Sequence, residues 1–337
     1  MESLNFVNLI QAATVGVCSL GGFLLWRKID FRAISLLLWL IAIASGVNIL
    51  EETGVTRDIY LISPIFIMLF GPATYLAAKH FTADNLTAID WIHLLPIFPV
   101  LFFTSHVEII IVVGTIWRFF YLYLTVRVLI FFKQALDEKR SDSDDFSLRW
   151  LAGILVVTAI FNFVDLIRLN SQSLISYELN VLGQGINNAV WLFATMLIVI
   201  KLVEFKLPPK QYSKGAAHDS NQISADEYRS TFIELDTLVK TKKWFVKPGL
   251  TLSDVSELTG LQTRDISRII NIVAKKSFNQ YINEYRVNEI CKAFDDQSSQ
   301  SLTQLYINAG FTSKASFNKV FKELTGLTPS QYKARKV

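Results

Sequence analysis

Residues 310–332, GFTSKASFNKVFKELTGLTPSQY, decide how the rest of this chain is read. Phe317, Val320, Phe321 and Leu324 recur at helical spacing, with Lys314, Ser316, Asn318, Lys319 and Lys322 between them. That pattern predicts a helix with one buried apolar face and one exposed basic face. Upstream, Leu302, Leu305 and Ala309 form a shorter apolar helix that stops at Gly310. Helix, tight turn and basic helix, in that order, is the layout with which a helix-turn-helix enters a major groove.

One such pattern is weak evidence, because any two short helices joined by a glycine imitate it. Here it occurs twice. In residues 250–271, LTLSDVSELTGLQTRDISRIIN, Leu252, Val255 and Leu258 precede Gly260, and Ile266, Ile269 and Ile270 follow it. Val255 and Gly260 correspond to Leu305 and Gly310 at an offset of 50, and Ile266, Ser267 and Arg268 to Phe317, Asn318 and Lys319 at 51. The second turn is one residue longer.

Two such units, joined by a helix near residues 278–294, resemble the AraC family of bacterial transcription regulators. The resemblance covers residues 228–332 and is carried by GF, SF, VFK, TG and TP in the opening stretch and by YINEYRV at 281–287. It implies double-stranded DNA as partner, two helix-turn-helix units in one all-helical domain, and homodimerisation as a family habit. Arg264, Ser267 and Arg268 project away from Ile266, Ile269 and Ile270 and fall where the family's base-reading side chains fall. Lys314, Ser316, Asn318 and Lys319 take the corresponding places in the second unit. An arginine can contact guanine with two hydrogen bonds, asparagine suits adenine, and lysine serves phosphate as readily as base. Lys275, Lys276 and Lys322 are assigned to neutralising the DNA backbone, and the two recognition helices are expected in successive major grooves about 34 Å apart. Arg286 matches a family arginine but lies inside the linking helix and reads as structural. Tyr306 departs from the family, which usually has alanine there, and its bulk is expected to splay the second unit; the first unit has the small Ser256.

Beyond this domain the chain changes character. Of its 337 residues 51% are hydrophobic, with a mean hydropathy of +0.36, and the excess lies before residue 204. The apolar run 6–26 is too long for a signal-peptide core and reads as a retained span. Further spans are expected at 33–50, 59–78, 86–103, 109–132, 150–169 and 181–203, seven in all, with Pro96 and Pro99 interrupting the fourth. Eleven Lys and Arg fall in the connections on one side, among them Arg27, Lys79, Lys133, Lys139, Arg140, Arg149 and Lys206. Only Arg57 and Arg168 fall on the other. The positive-inside rule then places the N-terminus outside and, after an odd number of spans, the C-terminal domain in the cytoplasm with the chromosome.

Polar groups inside the spans are few. Arg118 lies mid-span, where a charge costs about 2.5–3.5 kcal/mol, so it is expected to face the bundle with Asp165 as candidate partner. Such a pair serves sensing or merely fixes helix packing. Arg127 is expected to snorkel. Asn48, Asn162, Asn187 and Asn188 line a polar pocket or make ordinary interhelical hydrogen bonds, the plainer reading being favoured. Glu51 and Glu52 on the outer side read as a solvated loop. Cys18 and Cys291 fall in different compartments and cannot pair; His80, His93, His106 and His218 are scattered, so no metal centre or cofactor is expected. An enzyme is not expected either, since no nucleophile motif or paired acids within one span are present.

Residues 204–225 hold Pro208, Pro209, Ser213 and Gly215 and read as a linker. From residue 240 onward 16 Lys and Arg face 8 Asp and Glu, against 16 and 17 in residues 1–225, so the net charge of +4 hides a basic domain. The sequence therefore predicts an all-α protein: a seven-helix transmembrane bundle at 1–203 acting as sensor, a linker at 204–225, and an AraC-type DNA-binding domain at 226–337. The expected function is a regulator in the bacterial inner membrane that couples an unknown signal ligand to gene expression. The alternative is a receptor or transporter whose basic domain contacts protein or anionic lipid and reads no sequence.

Overall fold

The computed structural model describes residues 5–56, 59–82, 87–171, 174–208, 225–296 and 300–336, and the regular structure among them is helical. Most of the linker expected at 204–225 lies outside the described residues, as do Arg57 and Leu86. The chain divides into two compact units, Met1–Phe132 with Leu148–Lys206, and Lys133–Ser147 with Leu207–Val337. The connection 133–147 thus belongs by its contacts to the C-terminal unit, whereas the boundaries drawn from sequence set it with the bundle.

The first unit is built on six long helices: α1 (Phe6–Trp26), α2 (Arg32–Glu52), α3 (Ser63–Thr82), α5 (Val107–Lys139), α6 (Arg149–Asn170) and α7 (Tyr177–Glu204). Among the described residues, five stretches are long and apolar enough to cross a membrane; α3, which is not among them, has 20 residues and carries Pro72 inside. Leu20, Phe23, Ile116 and Phe193 are each more than 60% exposed. Apolar surface of this extent is foreign to a soluble monomer and suggests a membrane-embedded region.

The expected fourth span differs from a regular helix. It consists of a 3₁₀ turn at Ala88–Leu94 followed by the four-residue α4 (Ile97–Val100). Pro96 and Pro99 have no N–H to give to a helical ladder, which accounts for the break. The segment nonetheless runs the length of α3 in the opposite direction. Asp90 pairs with Lys79 at 2.5 Å, the His93 ring packs on Tyr75 at 5.1 Å, and Tyr60 donates to the Leu101 carbonyl at 2.6 Å.

The polar groups of the bundle also sort differently from the expectation. Asp165 pairs with Arg168 on its own helix at 2.8 Å, because the i,i+3 spacing brings the two together before any other helix is involved. Arg118 instead donates from Nε to the Ile67 carbonyl at 3.1 Å and lies over the Phe70 ring. Arg127 lies over the rings of Tyr123 and Phe131. Glu52 is no solvated loop residue: its carboxylate accepts from Asn8 at 2.6 Å, Gln11 at 3.0 Å and Gln184 at 2.7 Å.

In the second unit, α8 (Ala225–Thr241) precedes the paired helices α9 (Leu252–Thr259) and α10 (Thr263–Ile269), the linking helix α11 (Phe278–Asp295), the pair α12 (Leu302–Asn308) and α13 (Lys314–Thr325), and α14 (Pro329–Lys336). Helix starts are fixed locally by capping boxes, Thr251 with Asp254, Ser277 with Gln280 and Ser301 with Gln304. Two cores form. Val255, Ile266 and Ile270 pack in one, and Leu305, Phe317 and Phe321 in the other. The linking helix supplies both, Phe278, Tyr281 and Ile282 to the first and Val287, Ile290 and Phe294 to the second.

Candidate nucleic-acid interface

Each unit positions its second helix by burying the apolar stripe read from the sequence. In α10, Ile266 and Ile269 are buried, which turns Arg264 and Arg268 outward and leaves Ser267 half-buried. In α13, Phe317, Val320 and Phe321 are buried, Lys314 and Asn318 are exposed, and Lys319 is partly so. Ser316 is 5% exposed with the segment 133–147 in place. Lys322 is exposed.

The turns are set by backbone chemistry. Gly260 ends α9 in the left-handed region at φ 75°, and Gly310 follows α12 at φ 95°. A Cβ at Gly310 would lie 2.6 Å from the Val246 carbonyl oxygen, so this turn presses directly on the backbone between α8 and α9. Tyr306 stacks on Phe317 with ring centroids 5.4 Å apart and planes 22° from parallel, and α12 and α13 keep their helix-turn-helix order. Its bulk is taken up by an aromatic contact.

Much of the polar surface of these helices is already engaged, by the segment 133–147. Glu138 accepts from Ser267 Oγ at 3.1 Å and from Asn271 Nδ2 at 2.9 Å. Asp144 pairs with Lys319 at 2.6 Å, and Asp145 accepts from Ser313 Oγ at 2.5 Å and from Thr312 Oγ1. Burial would raise the Asp144 pKa, but hydrogen bonds and charge from Lys319 and Lys133 outweigh it and hold the carboxyl below its ordinary 3.8.

The segment is anchored by one face of the linking helix. Asn279, Asn283 and Arg286, spaced as i, i+4 and i+7, converge on Ser141. The two amides donate to the Ser141 carbonyl at 2.9 and 3.1 Å, and Arg286 Nη2 donates to Ser141 Oγ at 3.0 Å. Arg286 also donates to the carbonyls of Phe245 at 2.7 Å and Lys247 at 2.9 Å. It is 1% exposed, and burial lowers its guanidinium to about 10 against the opposing pull of Asp142 and Asp145. Arg286 is structural, as its place in the sequence suggested; its attachment to residue 141 was not foreseen. A signal was available: Asp137, Glu138, Asp142, Asp144 and Asp145 crowd one short connection of a chain whose C-terminal domain is basic.

Residues 255–335 match the family model described as "Helix-turn-helix domain". Over 85 residues the chain is 30% identical to the melibiose operon regulatory protein of Escherichia coli (strain K12), a match covering 25% of this chain and 28% of that protein. Over 84 residues it is 31% identical to an uncharacterized HTH-type transcriptional regulator of Staphylococcus aureus (strain COL), covering 25% of this chain and 11% of that one. The chain thus spans less than a third of the length of these relatives, and the matches lie within one domain. No solved structure matches it significantly. Two stacked units with buried stripes, a shared linking helix and these relatives together identify the C-terminal region as a helix-turn-helix domain of the AraC type.

Proposed function

We propose that this chain is a membrane-anchored transcription regulator that binds DNA in a sequence-specific way and couples a signal sensed by its helical bundle to gene expression. The observation that carries the reading is the pair of recognition helices, each with a buried stripe and an exposed polar face, Arg264 and Arg268 on α10 and Lys314 and Asn318 on α13. Arginine in a major groove discriminates guanine by about 1–3 kcal/mol per bidentate contact. Ser267 and Lys319 complete the two faces when their carboxylate partners leave.

Orientation follows from charge. The connection 133–147 and the DNA-binding domain belong to one compact unit, which supports the assignment of both to the same, Lys- and Arg-rich side. The fourth segment, though broken, runs antiparallel to α3 and supports an odd number of passes, with the N-terminus outside and the domain in the bacterial cytoplasm. Two units in one chain give a bipartite contact, and a homodimer would double it.

The test is selection of bound sequences from random duplex DNA by the full chain in lipid nanodiscs, beside the variant Arg264→Ala/Arg268→Ala. A bipartite site with half-sites one helical turn apart, one half being lost in the variant, is expected. Binding without sequence preference would replace this reading with that of a protein- or lipid-contact module.

A further inference from the structure

We infer that the segment 133–147 is an intramolecular competitor of DNA: docked, it occupies part of the recognition surface, and DNA seats there only when it leaves. The inference rests on the reading of the C-terminal domain as DNA-binding. Its carboxylates meet the donors that a duplex would need. Glu138 occupies Ser267 and Asn271 on and just beyond the first recognition helix, and Asp144 occupies Lys319 on the second. Asp145 binds Thr312 and Ser313 at the N-terminus of α13, the end of a recognition helix that approaches base edges. Phosphates and these carboxylates seek the same groups and repel each other, so the two occupants exclude one another.

The docking is built rather than casual. Ser141 and Ser143 are 1% and 0% exposed, the Ser141 N–H donates to the Leu250 carbonyl at 2.9 Å, and three side chains of α11 close on this one residue. Arg264, Arg268, Lys314 and Asn318 stay exposed, so attraction of DNA persists, while the docked carboxylates hold Ser267, Asn271, Thr312, Ser313 and Lys319 and keep the duplex from seating on both helices. The segment also joins two long helices. α5 ends inside it and α6 starts just after it, so a shift of either helix within the bundle acts on the docked segment without any other linkage.

The experiment measures affinity of the full chain in nanodiscs for its selected site in three forms. Glu138→Ala/Asp144→Ala/Asp145→Ala removes the competing carboxylates, and affinity is expected to rise about tenfold or more as the binding-competent fraction grows. Asp145→Cys/Ser313→Cys, with Cys18→Ala and Cys291→Ala, locks the segment on oxidation. Specific binding is expected to vanish in the crosslinked form and return on reduction. Unchanged affinity in the triple variant, or specific binding by a verified crosslinked form, overturns the competitor while leaving the regulator standing. Absence of specific binding in every form, reduced and unlocked included, overturns both.

A separate observation carries a second inference. We propose that the bundle holds a binding site for a small zwitterion with a primary ammonium and a carboxylate. A cavity of about 310 Å³, large enough for a metabolite, is lined by residues of six helices, including Glu52, Phe70, Arg118, Asn187 and Trp191. Glu52 is held by three neutral amides, and among the described residues no Lys or Arg lies within 4.0 Å of it. Arg118 has no carboxylate within that distance among the described residues, and only its Nε is bonded. Asp165 lines the same cavity and acts on Arg118 through space but pairs with Arg168, so Glu52 and Arg118 face the cavity with no direct ion pair and match the two ends of a zwitterion. The buried Oδ1 of Asn187, which has no partner, accepts an ammonium N–H. Trp191 adds an aromatic face for the ammonium, while the Phe70 ring backs Arg118.

Its test needs no DNA. The full chain in nanodiscs is titrated with α-amino acids of increasing size, with an alkylamine and a carboxylate as single-charge controls. Intrinsic Trp fluorescence and thermal stability are the readouts. Saturable binding of a zwitterion, weakened about tenfold or more by Glu52→Gln and by Arg118→Gln, is expected. No saturation up to about 10 mM, or equal binding by both variants, overturns the site whatever the DNA experiments show.

Discussion

At the scale of single residues, Arg286 and Asp144 carry the most consequence. Arg286 is a charge inside a core, tolerated because backbone carbonyls of Phe245 and Lys247 and both oxygens of Ser141 accept its hydrogen bonds. Arg286→Ala removes the donor to the Phe245 carbonyl, weakens the hold on Ser141 and leaves a void in the core, and is expected to destabilise the domain by on the order of 3 kcal/mol in chemical denaturation of the full chain. Ser141→Ala removes one acceptor and is expected to cost about 1 kcal/mol. Asp144 adds a pH dependence. Its pKa is held below 3.8 when docked, so its contribution is complete above that value and is lost as pH falls through the depressed folded value. Amide exchange across 137–146 is therefore expected to accelerate, beyond its intrinsic trend, as pH falls below about 4. Asp144→Asn is expected to flatten that excess.

At the scale of elements, the two helix-turn-helix units tolerate different changes. Gly310 sits at φ 95° with a would-be Cβ 2.6 Å from a backbone oxygen, whereas a Cβ at Gly260, at φ 75°, would meet nothing within 4 Å. Gly310→Ala thus meets both strain and a clash with backbone and is expected to cost about 3 kcal/mol, against about 1 kcal/mol for Gly260→Ala. Thermal unfolding of the two variants gives the comparison. The apolar stripes of α10 and α13 were legible because a short helix that buries one face must repeat at 3.6 residues. The low exposure of Ser316 was not legible, since position on a helical wheel sets it beside the partly exposed Lys319. The fourth segment of the bundle was legible as apolar and as interrupted, but its course along α3 depends on the contacts of Asp90, His93 and Leu101.

At the scale of the whole molecule, the 33-residue α5 carries both Arg118, which lines the cavity, and Glu138, which bonds Ser267 and Asn271. A ligand that moves α5 has a covalent route to the DNA-binding domain, and the expectation is measurable. A bound zwitterion is expected to change specific DNA affinity, and by linkage the selected DNA site is expected to change zwitterion affinity by the same factor. Titrating each in the presence of the other checks the equality.

The sequence by itself determined the division into an apolar half and a basic half, the two helix-turn-helix units and the faces they bury. Those features follow from composition and from local periodicity, which need no knowledge of distant neighbours. Only the tertiary structure decided what the charged groups do. Asp165 has a local i,i+3 partner in Arg168, and only the fold also sets it in one cavity lining with Arg118. Glu52 read as a loop residue and is a cavity wall. The connection 133–147 read as a charged turn between two spans and lies against the recognition helices, held through Ser141 by a helix that begins 137 residues further along the chain. Charges act through space on whatever folding brings near them, and sequence distance does not set that distance.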